Sequence, residues 1–139
     1  MKVKDVMHKG ATCVAPTTSV KEIAKRMRDN DIGAIPVSAN GRVVGILTDR
    51  DITCRAVADT RSLSKMTARD IMTKKVICCS PDDDIDVAIE VMESKHIRRL
   101  PVTDSHKTMI GMLSLGDVSH KVKKELSGEV LRAVSGHHT

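Results

Sequence analysis

The sequence predicts a mixed α/β fold, of the α+β type, made from two copies of one β-α-β-β-α unit. The first observation behind this is internal repetition. Asp5-Val6-Met7 returns 65 residues on as Asp70-Ile71-Met72, and the same offset carries Cys13 onto Cys78, Pro16 onto Pro81 and Met27 onto Met92. It also carries Ile32-Gly33-Ala34-Ile35-Pro36-Val37 onto Ile97-Arg98-Arg99-Leu100-Pro101-Val102. After one inserted residue, Gly45-Ile46-Leu47-Thr48-Asp49-Arg50-Asp51 falls on Gly111-Met112-Leu113-Ser114-Leu115-Gly116-Asp117. The second observation is that each copy holds one helix-periodic apolar stretch followed by two short apolar runs around a turn. The third is size: 139 residues, 40% hydrophobic and 29% charged, are one soluble domain's worth of chain.

In the first copy, Ser19-Val20-Lys21-Glu22 fits a capping box, and Val20, Ile23, Ala24 and Met27 then recur at i, i+3, i+4 and i+7. That spacing predicts an amphipathic helix. A strand over Ala34 to Val37 follows, then the turn signal Asn40-Gly41, then a second strand over Val43 to Leu47. Thr48-x-x-Asp51 opens a second helix carrying Ile52, Ala56 and Val57. A Thr-, Ser-, Arg- and Asp-rich linker spans Ala58 to Ala68. The second copy places Ile85, Ala88, Ile89 and Met92 on the same helical spacing, with Asp82, Asp83 and Asp84 at the positive end of the helix dipole. Its strand over Arg99 to Val102 turns through Thr103 to Lys107, and Ser114-x-x-Asp117 opens its last helix. Ser127 to Val134 reads as a short terminal helix and Ser135 to Thr139 as disordered. A lone unit of about 55 residues buries too little apolar surface to stand alone, so the two are expected to fold together.

Composition narrows the function. A formal charge of +5 is spread along the chain, and Phe, Tyr and Trp are absent. A core of aliphatic residues and 8 Met follows, and stacking on nucleic-acid bases is disfavoured. The opening residues lack a secretory signal's apolar stretch, and no run approaches the length of a membrane span, so a cytoplasmic protein is expected. Cys13, Cys54, Cys78 and Cys79 make a poor disulfide framework, and neither Cys-x-x-Cys nor His-x-x-x-His spacing occurs. Reduced, buried thiols and no metal site are the expectation. A catalytic triad, a phosphate loop and a dinucleotide fingerprint are all absent, so the sequence assigns no reaction.

The paired openings, the paired Ile35-Pro36-Val37 and Leu100-Pro101-Val102, and the two Gly-x-x-[Thr/Ser]-x-x-Asp endings together carry a resemblance. From Val3 to Val122 the chain resembles a tandem pair of cystathionine beta-synthase (CBS) domains, the Bateman module, of the small stand-alone bacterial kind. The resemblance implies domains at 1–58 and 69–124, a linker at 59–68 and a tail or short helix at 125–139. It also implies two sheets packed face to face about a pseudo-two-fold axis, with ligand clefts between the motifs.

The implied function is non-catalytic sensing of an adenine nucleotide (AMP, ADP or ATP) as ligand, with no cofactor. In the first copy the implied ligand-binding positions are Cys13, Ile35, Pro36, Thr48, Arg50 and Asp51. In the second they are Cys78, Arg98, Arg99, Leu100, Pro101, Ser114 and Asp117. Asp51 and Asp117 would accept hydrogen bonds from ribose hydroxyls, while Ile35 and Leu100 pack on the base. Read as residues alone, Thr48 with Asp51 and Ser114 with Asp117 are equally good helix caps, and capping is compatible with binding. Pro36 and Pro101 read equally as edge-strand residues. Arg98 and Arg99, with Gly33 and Ala34 in their places in the first copy, are candidate phosphate contacts, one of them solvated by strand alternation.

The helix stripes Val20/Ile23/Met27 and Ile85/Ile89/Met92 also suggest a homodimer, and an unidentified effector protein would receive the signal. Two other readings stay open: a structural or stress-related homodimer with empty sites, and a thiol- or metal-responsive protein. A diffuse charge without Lys/Arg clustering argues against nucleic acid as partner.

Overall fold

The computed structural model describes residues 1–10, 12–59, 62–121 and 131–135. In chain order it holds a 3-10 turn at Val3–Asp5, β1 (His8–Lys9), α1 (Val20–Asn30), β2 (Ala34–Ala39), β3 (Arg42–Thr48) and α2 (Asp49–Asp51). A π-helical stretch at Ile52–Val57 continues α2. Then come α3 (Ala68–Ile71), α4 (Ile85–Lys95), β4 (Arg99–Thr103), β5 (Met109–Ser114) and α5 (Leu115–Lys121). The predicted mix of helices and small antiparallel sheets is what forms.

The chain forms two compact units, Thr12–Val76 on the one hand and Met1–Ala11 with Ile77–Thr139 on the other. These units do not coincide with the sequence repeats, because each repeat's opening segment is built into the unit that carries the other repeat's helix and strands. In the unit of residues 12–76, Val20 donates its N–H to the Met66 carbonyl, Ala68 to Thr18 and Arg69 to Pro16. In the second unit Ile85 donates to Met1, Val3 to Asp83 and Lys4 to Pro81, the same bonds shifted by 65 residues. The segment read as a linker is therefore structural toward its end, with Met66 buried; Thr60 and Arg61 lie outside the described residues.

Within the unit of residues 12–76, α1 starts where the sequence says it should: the Ser19 hydroxyl accepts the Glu22 N–H at 3.1 Å. Asp31 ends it in the left-handed region at φ 52°. The β2–β3 hairpin turns through Asn40 (φ 54°) and Gly41 (φ 80°), the pair of positive φ values that a tight hairpin needs. Thr73 pairs with Ile46 on the far side of β3. Pro36 costs this sheet little. Its carbonyl accepts from Val14, so its missing N–H faces that isolated parallel bridge and not the β3 ladder. The core gathers Val20, Ile23, Met27, Ile35, Val37, Leu47, Ala56, Met66 and Ile71.

The second unit repeats this plan with a fuller sheet, in the order β1-β5-β4. Its core gathers Val3, Val6, Cys79, Ile85, Ile89, Met92, Leu100, Val102, Leu113 and Val118. Both helix stripes proposed for dimer contacts are thus already consumed, since every member is within 7% of full burial inside its own unit. Val57, expected on an apolar helix face, is 61% exposed, because the π-helical winding turns it away while Ala56 stays buried. Residues 131–135 are helical, Ser135 included, and Val134 completes the core; the rest of the proposed terminal helix, 127–130, and the last residues, 136–139, lie outside the described residues.

Candidate functional site

Each unit presents an acidic turn where its hairpin runs into a helix. At the end of β3 the Thr48 N–H donates to Asp51 Oδ2 at 3.0 Å, and the Asp51 N–H donates to Thr48 Oγ1 at 3.1 Å. At the end of β5 the Ser114 N–H donates to Asp117 Oδ2 at 3.0 Å, and the Asp117 N–H donates to Ser114 Oγ at 3.1 Å. The capping reading is therefore correct for both turns. It also fixes each carboxylate in one orientation, with Oδ2 committed to the cap and Oδ1 left outside it. Both Asp side chains keep 11% exposure, so they are held rigidly and still reachable.

The two Oδ1 oxygens differ in their company. Asp51 Oδ1 lies 3.7 Å from the Arg55 guanidinium, which also donates to the Ile71 carbonyl at 3.0 Å and to Thr73 Oγ1 at 3.4 Å. Asp117 Oδ1 lies 2.7 Å from Nε2 of His8. Neither Arg55 nor His8 stands out in the sequence; the one signal for His8 is that it occupies the repeat position of Thr73.

Arg98 and Arg99 are brought to the second turn. Arg99 pairs with Ser114 in the β4–β5 ladder, and the Leu115 N–H donates to the Arg98 carbonyl at 2.8 Å. Both side chains are exposed, where alternation had suggested only one, because β4 begins at Arg99 and Arg98 precedes it. Neither forms a salt bridge among the described residues. The equivalent turn in the other unit has Gly33 there, its carbonyl accepting the Asp49 N–H. Arg50 is exposed beside Asp51.

The remaining predicted contacts are placed differently. Ile35 and Leu100 have no exposed surface and serve their cores, so their side chains have no face to offer a base. Pro36 and Pro101 are buried too, their carbonyls accepting from Val14 and Cys79. Cys13 and Cys78 sit at the other end of β2 and β4, roughly 13 Å along the strand from the acidic turns. Cys13 accepts from the Ser38 hydroxyl at 3.1 Å, and Cys78 has Thr103, the residue 65 positions beyond Ser38, as its hydrogen-bond partner. Burial pushes the Cys78 thiol up, and pushes Cys79, further raised by Asp83 and Cys78, up to about 12. A high value keeps a thiol protonated and a poor nucleophile or metal ligand. Among the described residues no three His, Cys, Asp or Glu side chains converge as a metal ion requires, and no helix is long and apolar enough to cross a membrane.

The profile of the CBS domain matches the chain twice, over residues 3–56 and 68–124. The CBS domain-containing protein YhcV of Bacillus subtilis is 32% identical over 134 residues, which cover 96% of this chain and 94% of that protein. The crystal structure of Hypoxic Response Protein I with two coordinated zinc ions matches with a TM-score of 0.80 at 29% identity, over 88% of this chain and all of that one. The CBS domain pair of protein MJ0100, in complex with 5′-methylthioadenosine and S-adenosyl-L-methionine, matches with a TM-score of 0.77 at 29% identity. That match covers 86% of this chain and 98% of the other.

Proposed function

The chain belongs to the CBS domain family, and from that premise we propose that it is a non-catalytic regulatory module that senses an adenine nucleotide (AMP, ADP or ATP) through its two acidic turns. The observation that carries this reading is the pair of Asp51 and Asp117 carboxylates, each locked by a reciprocal cap through one oxygen, with the other outside the cap. A vicinal diol offers two donors to such an acceptor, and a hydrogen bond to a charged group contributes more than a neutral one. The adenosine ligands bound by the MJ0100 pair support the class of ligand. Arg98 and Arg99 supply exposed cations at the Asp117 turn for the phosphates, with Arg50 in that role at the Asp51 turn.

Occupancy acts on whatever the module regulates only through different affinities for two states of the chain, and an effector protein or self-association is the route we propose for the signal. A homodimer in the cytoplasm is the assembly we propose, checked by light scattering for a mass near twice 15.1 kDa. Calorimetric titration with AMP, ADP and ATP tests the binding itself. Heat and saturation with the unmutated chain, weakened by Asp51→Ala and by Asp117→Ala, are expected. Absence of both would favour the structural dimer with empty sites.

A further inference from the structure

The two acidic turns are alike in everything but the group that meets Oδ1. At the turn of residues 48–51 that group is Arg55, beyond hydrogen-bonding distance of Asp51 at 3.7 Å and tied to the Ile71 carbonyl. At the turn of residues 114–117 it is His8, in direct contact at 2.7 Å and otherwise 81% exposed. His8 reaches Asp117 because β1 lies along β5, with His8 opposite Met112. Thr73 occupies the same position in the other unit, opposite Ile46, and its side chain is too short to bridge to an acid in this way.

We infer that His8 is a specificity-determining residue that occupies the ligand-reading oxygen of Asp117, so that the two sites of the chain differ in readiness. This rests on the adenine-nucleotide reading given above and says which of its two sites is restrained. With Oδ2 in the cap and one acceptor site of Oδ1 on His8, Asp117 takes both hydroxyls of a ligand diol on Oδ1 only after His8 has been displaced. Among the described residues Asp51 Oδ1 carries no such hydrogen bond. The first equivalent of ligand therefore enters at Asp51, and the second enters at Asp117 against the imidazole.

The test isolates the second site with Asp51→Ala and titrates it with 5′-methylthioadenosine, a probe without a phosphate. Adding His8→Thr, which restores the residue of the other repeat, should tighten binding by about fivefold, the factor that corresponds to ~1 kcal/mol for a surrendered hydrogen bond. His8→Gln, which keeps a hydrogen-bond donor, should tighten it less. Equal or weaker binding after His8→Thr overturns the role of His8 and leaves the nucleotide reading standing. Failure of the unmutated chain to bind this probe, AMP or ATP overturns both.

Discussion

A Cβ atom on Gly111 would lie 2.6 Å from the carbonyl oxygen of His8. The glycine is what lets the opening segment of the chain cross the middle strand of the second unit. Gly45 does the same for Met72 and Thr73, but there the nearest atom is the flexible Met72 thioether and the Thr73 carbonyl is 3.2 Å away.

Gly111→Ala should therefore destabilise the fold by the ~1–3 kcal/mol of an overpacked core site, and Gly45→Ala by less, because Met72 can move and a backbone carbonyl in a ladder cannot. Urea denaturation of the two variants checks the order. Gly116→Ala, whose new methyl would meet nothing closer than 3.6 Å, serves as the control and should not destabilise.

Thr48→Ala and Ser114→Ala should each lower stability by ~1 kcal/mol, the usual loss of an N-cap. Since the carboxylates are held by the backbone N–H groups of Thr48 and Ser114, which these variants keep, nucleotide binding should weaken less than in Asp51→Ala or Asp117→Ala. Thermal melts paired with titrations separate the two effects.

Cys79 gives a prediction in pH. Its thiol is pushed up to about 12 from an ordinary value of 9.0, chiefly by burial. A folded-state value above the unfolded one means that the stabilisation is present in full below the ordinary value and is lost as pH climbs toward the folded one. Stability measured from about pH 8 to about pH 11 should fall, and the fall should be smaller in Cys79→Ala. Alkylation at neutral pH should modify exposed Cys54 readily and Cys79 last.

The arginines separate phosphate from nucleoside. Arg98→Ala with Arg99→Ala should weaken AMP or ATP at the Asp117 turn by the ~1.5–3 kcal/mol of a charge-assisted hydrogen bond, and 5′-methylthioadenosine much less. Equal losses for all three ligands would remove the arginines from phosphate recognition.

Local structure was legible wherever a residue acts on its near neighbours. The Ser19 cap, the Asn40-Gly41 turn and both reciprocal caps at Asp51 and Asp117 are short-range bonds, and each stands in the sequence as a residue pair. The docking of Met1–Ala11 beside Ile77–Thr139 was not legible, because a 65-residue repeat looks the same whether its opening segment packs on its own helix or on the other. His8 was hidden for that reason: its partner is 109 positions away and in the other repeat. For Ile35 and Leu100 strand alternation gives two faces without saying which one is core, and packing assigned both inward, with no exposed surface.

The central claim is that the Oδ1 oxygens of Asp51 and Asp117 read an adenine nucleotide, and titration calorimetry with millimolar AMP, ADP and ATP, backed by melting curves, tests it most directly. A ligand at a hundred times its dissociation constant should raise stability by ~2.7 kcal/mol, with Asp51→Ala and Asp117→Ala each removing binding at its own turn. No heat and no melting shift for the unmutated chain with any of the three would contradict the claim and leave both turns as helix caps alone.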